Sequence, residues 1–204
     1  MRYIVFGSGG FAKEVIDYVE DDSHEIVAVI STTKFNSESY AKRYEVIDSV
    51  NESLLDTYPD AKFLLAVGDV TVKKIIVGKN VDRWGSFIHS SSHISRHSKM
   101  GKGVVVCPHA TVLGDSIIGN FVTLNVYTCV AHDNVVGNYS TYSPYAGTMG
   151  NCTIGDDCFF GTSAYCIPGV SLANGCKVSA GSFVRKSHQT ENDVLIGNPA
   201  KPKP

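Results

Sequence analysis

No stretch of this sequence is apolar for long enough to cross a bilayer as a helix, and no basic run is interleaved with aromatic residues. The first absence argues against a membrane-spanning protein. The second argues against a nucleic-acid binder, and a net charge of −2 agrees with it. Six cysteines are present but none form a CxxC pair, and the opening MRYIVFGSGG has too short an apolar run for a signal peptide. A cytoplasmic protein with reduced thiols is therefore expected. What is present is ordinary for a globular chain: 43% hydrophobic and 19% charged residues, in a length that suits one large domain or two small ones.

The two parts of the chain follow different patterns. In residues 1–80, apolar strand signals at Tyr3–Phe6, Glu25–Ile30 and Lys62–Val67 alternate with helical ones, notably Phe11–Glu20. This alternation predicts a small parallel sheet, about half of a Rossmann-like fold. The first strand runs into Gly7-Ser8-Gly9-Gly10-Phe11-Ala12, which fits GxGxxG/A between a strand and a helix. Such a loop lets a phosphate approach the backbone at a helix N-terminus. A dinucleotide site would also need an acidic residue after the second strand, where this chain has Ser31-Thr32-Thr33. NAD is thus excluded, and a nucleotide or sugar-phosphate site is expected.

From about residue 86 helical signals vanish and a period of six takes over. Every sixth residue from Ile88 to Val184 is apolar or aromatic in sixteen of seventeen cases, Thr148 being the exception. The residue two places earlier is always small or short, from Ser86 to Ser182. One large and one small inward position per hexad predicts a parallel β-helix with three faces and 18 residues per coil. Gly101, Gly119, Gly137 and Gly155 recur with that coil period, and Asn120, Asn138, Asp156 and Asn174 recur with it one place later in the corner, where a left-handed backbone is expected. Cys152, Cys158 and Cys176 fall in the small slot and Cys166 in the large one, so they read as packing residues.

One residue breaks the repeat. His132 stands where the coils below and above carry Gly114 and Gly150. Strands about 4.8 Å apart would leave open space on both sides of the ring. Asp133 is matched by Asp115 and Asn151, so it also reads as a turn residue. A histidine is suited to accept a proton near neutral pH. Zinc is the metal alternative, but His89, His93 and His97 occupy different hexad positions and do not converge. A β-helix carbonic anhydrase would need histidine five places after His132, where Gly137 stands. No metal is expected.

GSGGFAKEV at 7–15, VGDVTVKK at 67–74, FIHSSSHIS at 87–95, VAHDNVVG at 130–137 and IGNPAKP at 196–202 together resemble the left-handed β-helix hexapeptide-repeat sugar acetyltransferases. The resemblance is to the subfamily acting on nucleotide-linked 4-amino sugars or sialic acid, in surface-glycan biosynthesis. It implies an α/β domain (1–80), a left-handed parallel β-helix (81–187) and a C-terminal tail (188–204). It implies acetyl-CoA as co-substrate and a homotrimer with active sites between subunits. His132 is then the general base, Asp133 its orienting partner and Gly150 the oxyanion donor. Gly7, Ser8, Gly9, Gly10, Phe11, Ser31, Gly68, Asp69 and Lys73 would hold the substrate. Thr141, Gly150, Ala180, Gly181, Asn198 and Pro199 would line the CoA site. Four positions depart from the family pattern: Thr141 and Phe11 replace histidines, Ser31-Thr32 replace acidic residues, and Lys73 or Lys74 replaces an arginine. The glycine loop favours an amine on a phosphate-carrying sugar as acceptor. The alternatives are O-acetyl transfer and a non-enzymatic nucleotide-sugar-binding β-helix protein.

Overall fold

A computed structural model describes residues 1–79 and 83–203. It divides into two compact units, Met1–Phe87 and Ile88–Pro204. The boundary expected at residues 80 and 81 lies outside the described residues.

The first unit is a four-stranded parallel sheet in the order β3-β2-β1-β4, with β1 (Arg2–Phe6), β2 (Glu25–Ile30), β3 (Val46–Ile47) and β4 (Lys62–Leu65). Its central strand is apolar because both faces are covered: Ile4 and Val5 are fully buried. Helix α1 (Gly10–Asp21) places Ala12, Val15, Ile16 and Val19 inward at helical spacing. Each buried Val or Ile side chain is worth about 1.5–3 kcal/mol. Two six-residue helices, α2 (Glu38–Arg43) and α3 (Glu52–Thr57), flank β3, and α4 (Val70–Lys79) follows β4.

The second unit is a parallel β-helix. Two-residue strands recur every six residues and stack 18 apart, so that Ile117 pairs with Val135 and Val135 with Thr153. They build three faces. The first contains Val135–Val136, the second Thr141–Tyr142 and the third Gly147–Thr148. From Val106 to Val184 every large-slot residue is buried, Thr148 included. At the open lower end the series is less protected, and Ile88 is 43% exposed because no coil lies beneath it. The segment after 187 is more than a tail. Val194–Gly197 adds a strand to the second face, and Ala200–Pro202 folds back on it antiparallel.

The corners differ from expectation by one residue. The left-handed positions are Phe121, Tyr139, Asp157 and Gly175, not the asparagines before them. Asn120, Asn138, Asp156 and Asn174 instead form a ladder. Their side-chain oxygens accept backbone N–H bonds from the coil below, as from Asn120 to Asn138 at 2.9 Å. The glycines at this corner permit close stacking: a Cβ on Gly137 would sit 2.5 Å from backbone N and C atoms of the next coil. Ten corner residues from His109 to Ser163 hold positive φ without being glycine. That strain, about 1–2 kcal/mol each, is offset by rung stacking.

Among the described residues no helix is long and apolar enough to cross a membrane, and no His, Cys, Asp and Glu cluster could hold a metal. None of the six cysteines forms a disulfide; five are buried and Cys129 is half-buried. Burial pushes the Cys158 thiol up to about 12 and raises Cys166 further. A maleimide should therefore modify Cys129 alone in the native protein and all six thiols after denaturation, as counted by intact mass. Rapid native labelling of a second cysteine would contradict the packing role.

Candidate active site and nucleotide cavity

His132 and Asp133 occupy the corner between the third and first faces. Asp133 has φ +57, as its coil equivalents Asp115 and Asn151 have +58 and +61. The carboxylate is not idle, however: Asp133 Oδ2 lies 2.6 Å from His132 Nδ1. An ionised carboxylate only accepts, so Nδ1 carries the proton and Nε2 presents its lone pair. Both side chains remain about half exposed, 59% for His132 and 50% for Asp133.

The space around the ring is one-sided, where the sequence suggested openings on both sides. A Cβ placed on Gly150 would lie 2.6 Å from both Nε2 and Cε1, so the imidazole leans over that glycine. The Gly114 side stays open, with only Ser95 Oγ at 3.8 Å from such a Cβ. Beneath the corner Asn134 is fully buried in the small slot. Its amide donates to the carbonyls of Ala131 (2.7 Å), His132 (3.2 Å) and Met149 (3.0 Å), tying this coil to the next. Nothing in the hexad pattern marked Asn134 as more than a short residue.

The residues named for CoA separate into three places. Gly150 is beside His132. Ala180 and Gly181 sit on the corner between the second and third faces. Ser182, next to Gly181, accepts a bond from Gly197 N–H at 3.0 Å, which brings the Asn198-Pro199 hairpin close to that corner. Thr141 is elsewhere: it lies on the second face, opposite the His132 corner, and is only 5% exposed. Nine residues are one and a half hexads, which carries the chain past one corner and onto the far face. Thr141 therefore offers no open surface to a cofactor within this chain.

In the first unit a cavity of about 880 Å³ opens above the strand ends, within the usual range for small-molecule sites. Gly7, Ser8, Gly9, Gly10, Phe11, Ser31 and Gly68 line it. Gly7 has φ +127, and a Cβ there would meet Ala66 O at 2.6 Å. Around Gly9 and Gly10 no atom lies within 4 Å of an added Cβ. Gly9 caps α1 with no side-chain bond and no acidic residue follows in the first turn, which leaves the helix amides available for a phosphate. The Ser8 hydroxyl donates to Thr33 O at 2.6 Å and lies 2.9 Å from Ser31 Oγ, clasping the two loops together.

Asp69 and Lys73 are not among the residues lining this cavity. The Asp69 carboxylate accepts from Val72 N–H at 2.9 Å and so caps α4. Lys73 is completely buried, and desolvation lowers its pKa to about 7, with Asp69 opposing the shift. Sequence reasoning missed Asp48, Ser49, Val72 and Ile75, which do line the cavity. The first two follow a strand of two residues, too short to show a period.

Comparisons with known proteins agree with both units. Residues 2–79 match the family model of the PglD N-terminal domain, and residues 152–186 that of the hexapeptide repeat of succinyl-transferase. The GDP-perosamine N-acetyltransferase of Escherichia coli O157:H7 is 26% identical over 205 residues, covering 90% of this chain and 78% of the relative. PerB from Caulobacter crescentus, solved in complex with CoA and GDP-perosamine, is 25% identical with a TM-score of 0.85, over 100% of this chain and 98% of that one. WeeI from Acinetobacter baumannii AYE is 25% identical with a TM-score of 0.82, over 100% of both chains. This chain is similar over nearly its whole length to the GDP-perosamine N-acetyltransferase, PerB and WeeI, with a PglD-type N-terminal domain followed by hexapeptide repeats.

Proposed function

We propose that the protein transfers an acetyl group from acetyl-CoA to the amino group of a nucleotide-linked amino sugar, within surface-glycan biosynthesis. The observation that carries this reading is the His132–Asp133 pair at 2.6 Å, on the one corner where histidine replaces a glycine of the repeat. The neutral sugar amine attacks the thioester carbonyl, and His132 Nε2 takes the proton that the amine loses. Asp133 holds the Nδ1 proton and stabilises the imidazolium. The Gly150 N–H serves the oxyanion of the tetrahedral intermediate. Collapse breaks the C–S bond, and the imidazolium returns its proton to the departing thiolate.

The glycine loop and the first turn of α1 hold the phosphates of the sugar nucleotide. Ala180, Gly181, Asn198 and Pro199 hold CoA. These residues stand on a different corner from His132, so a second copy of the β-helix is needed to bring a CoA site against the base, and a homotrimer supplies it. Six cysteines without a disulfide suit a reducing compartment, and we place the enzyme in the cytoplasm, where acetyl-CoA is available.

The test is thiol release from acetyl-CoA with a panel of nucleotide-linked 4-amino sugars. The expected product gains one acetyl group in an amide that resists hydroxylamine. Tight sugar-nucleotide binding without turnover on any member would favour a binding protein instead. A hydroxylamine-labile product would favour O-transfer.

A further inference from the structure

We infer that Asp48 reads the base of the sugar nucleotide and selects guanine, so that the substrate is a GDP-linked amino sugar. The inference rests on the nucleotide reading of the cavity and goes beyond it by naming the base. The phosphate end of the cavity is fixed by the glycine loop after β1. The sheet order places β3 two strands away from β1, about 10 Å across, which is the span from a nucleotide's phosphates toward its base. Asp48 follows β3 directly and lines the cavity there. Its position is set by the Ser31 N–H, which donates to Ile47 O at 3.0 Å. The neighbouring hydroxyls are already engaged: Ser8, Ser31 and Thr33 bond to one another. Among the described residues lining the cavity, Asp48 is the only carboxylate.

A carboxylate offers two acceptors side by side and no donor. Guanine presents adjacent donors, N1–H and the N2 amino group, which pair with both oxygens at once. Uracil and thymine place a single N–H between two carbonyl oxygens, which face the carboxylate with like partial charge. Adenine and cytosine each set an acceptor beside their amino group. Only guanine satisfies both oxygens of Asp48 without a repulsive contact, and a base lacking the paired donors forgoes both hydrogen bonds.

The experiment is calorimetric titration of the full chain with GDP, UDP and dTDP, repeated with Asp48→Asn. GDP should bind at least tenfold more tightly than the two pyrimidine nucleotides. Asparagine, with one donor in place of an acceptor, should weaken GDP by about tenfold and leave UDP and dTDP within about twofold of wild type. Asp48 is exposed, so the variant is expected to fold. Equal affinity for UDP or dTDP, or a GDP affinity untouched by the substitution, would overturn the assignment to Asp48. Failure of all three nucleotides to bind would instead remove the nucleotide reading of the cavity.

Discussion

Alanine at position 132 should lower kcat by about 10²- to 10⁴-fold, the usual contribution of a general base, or about 3–5 kcal/mol of transition-state stabilisation. Binding of CoA and of the sugar nucleotide should remain within about twofold of wild type. The expectation follows from how little else the ring does. Its side chain is 59% exposed and bonds to Asp133, and the fold beneath it is held by Asn134 and the stacked coils. Truncation therefore removes the proton acceptor without opening a core cavity. Steady-state thiol release, with binding of each substrate measured separately, checks the split. A variant that keeps most of its turnover would show that another group accepts the amine proton.

Gly150→Ala should be nearly as damaging while leaving His132 in place. The added methyl would lie 2.6 Å from both Nε2 and Cε1. Because the imidazole is half exposed it can swing aside, so the melting temperature should change little. The swing breaks the contact with Asp133 and moves the lone pair off its line, and a misplacement of about 1 Å can cost about 10²-fold in rate. The outcome to look for is a loss in kcat of that order with an unchanged thermal transition. At Gly137 the same methyl would meet the backbone of the next coil at 2.5 Å, where nothing can swing away. A Gly150→Ala protein with normal turnover would mean that the ring adopts another position during catalysis.

Residues of the repeat were legible in the sequence because each hexad states the same pattern and sixteen of seventeen successive ones agree. The glycine loop was legible for a different reason: it follows an apolar strand and precedes a helical pattern, and Gly7 at its start holds positive φ against Ala66 O. The misses have physical causes too. The left-handed corner fell one residue later than expected because Asn120 and Asn138 were read for backbone tolerance, whereas their amides bridge coils. Thr141 was matched along the chain, and only the prism reveals that it faces away from His132. Asp69 and Lys73 were assigned to substrate from a motif, but one caps a helix and the other is wholly enclosed. Asp48 was invisible because β3 and its flanking helices span two and six residues, below the length at which periodicity identifies an element.

The asparagine ladder makes each coil an interchangeable storey. Every floor hands its neighbour the same set of bonds at 18-residue spacing, from Lys102 up to Asn174. Coils above Ser171 lie two or more rungs from His132, yet they carry Ala180 and Gly181 of the proposed CoA site. The height of the tower therefore sets how far that site stands from the base along the prism.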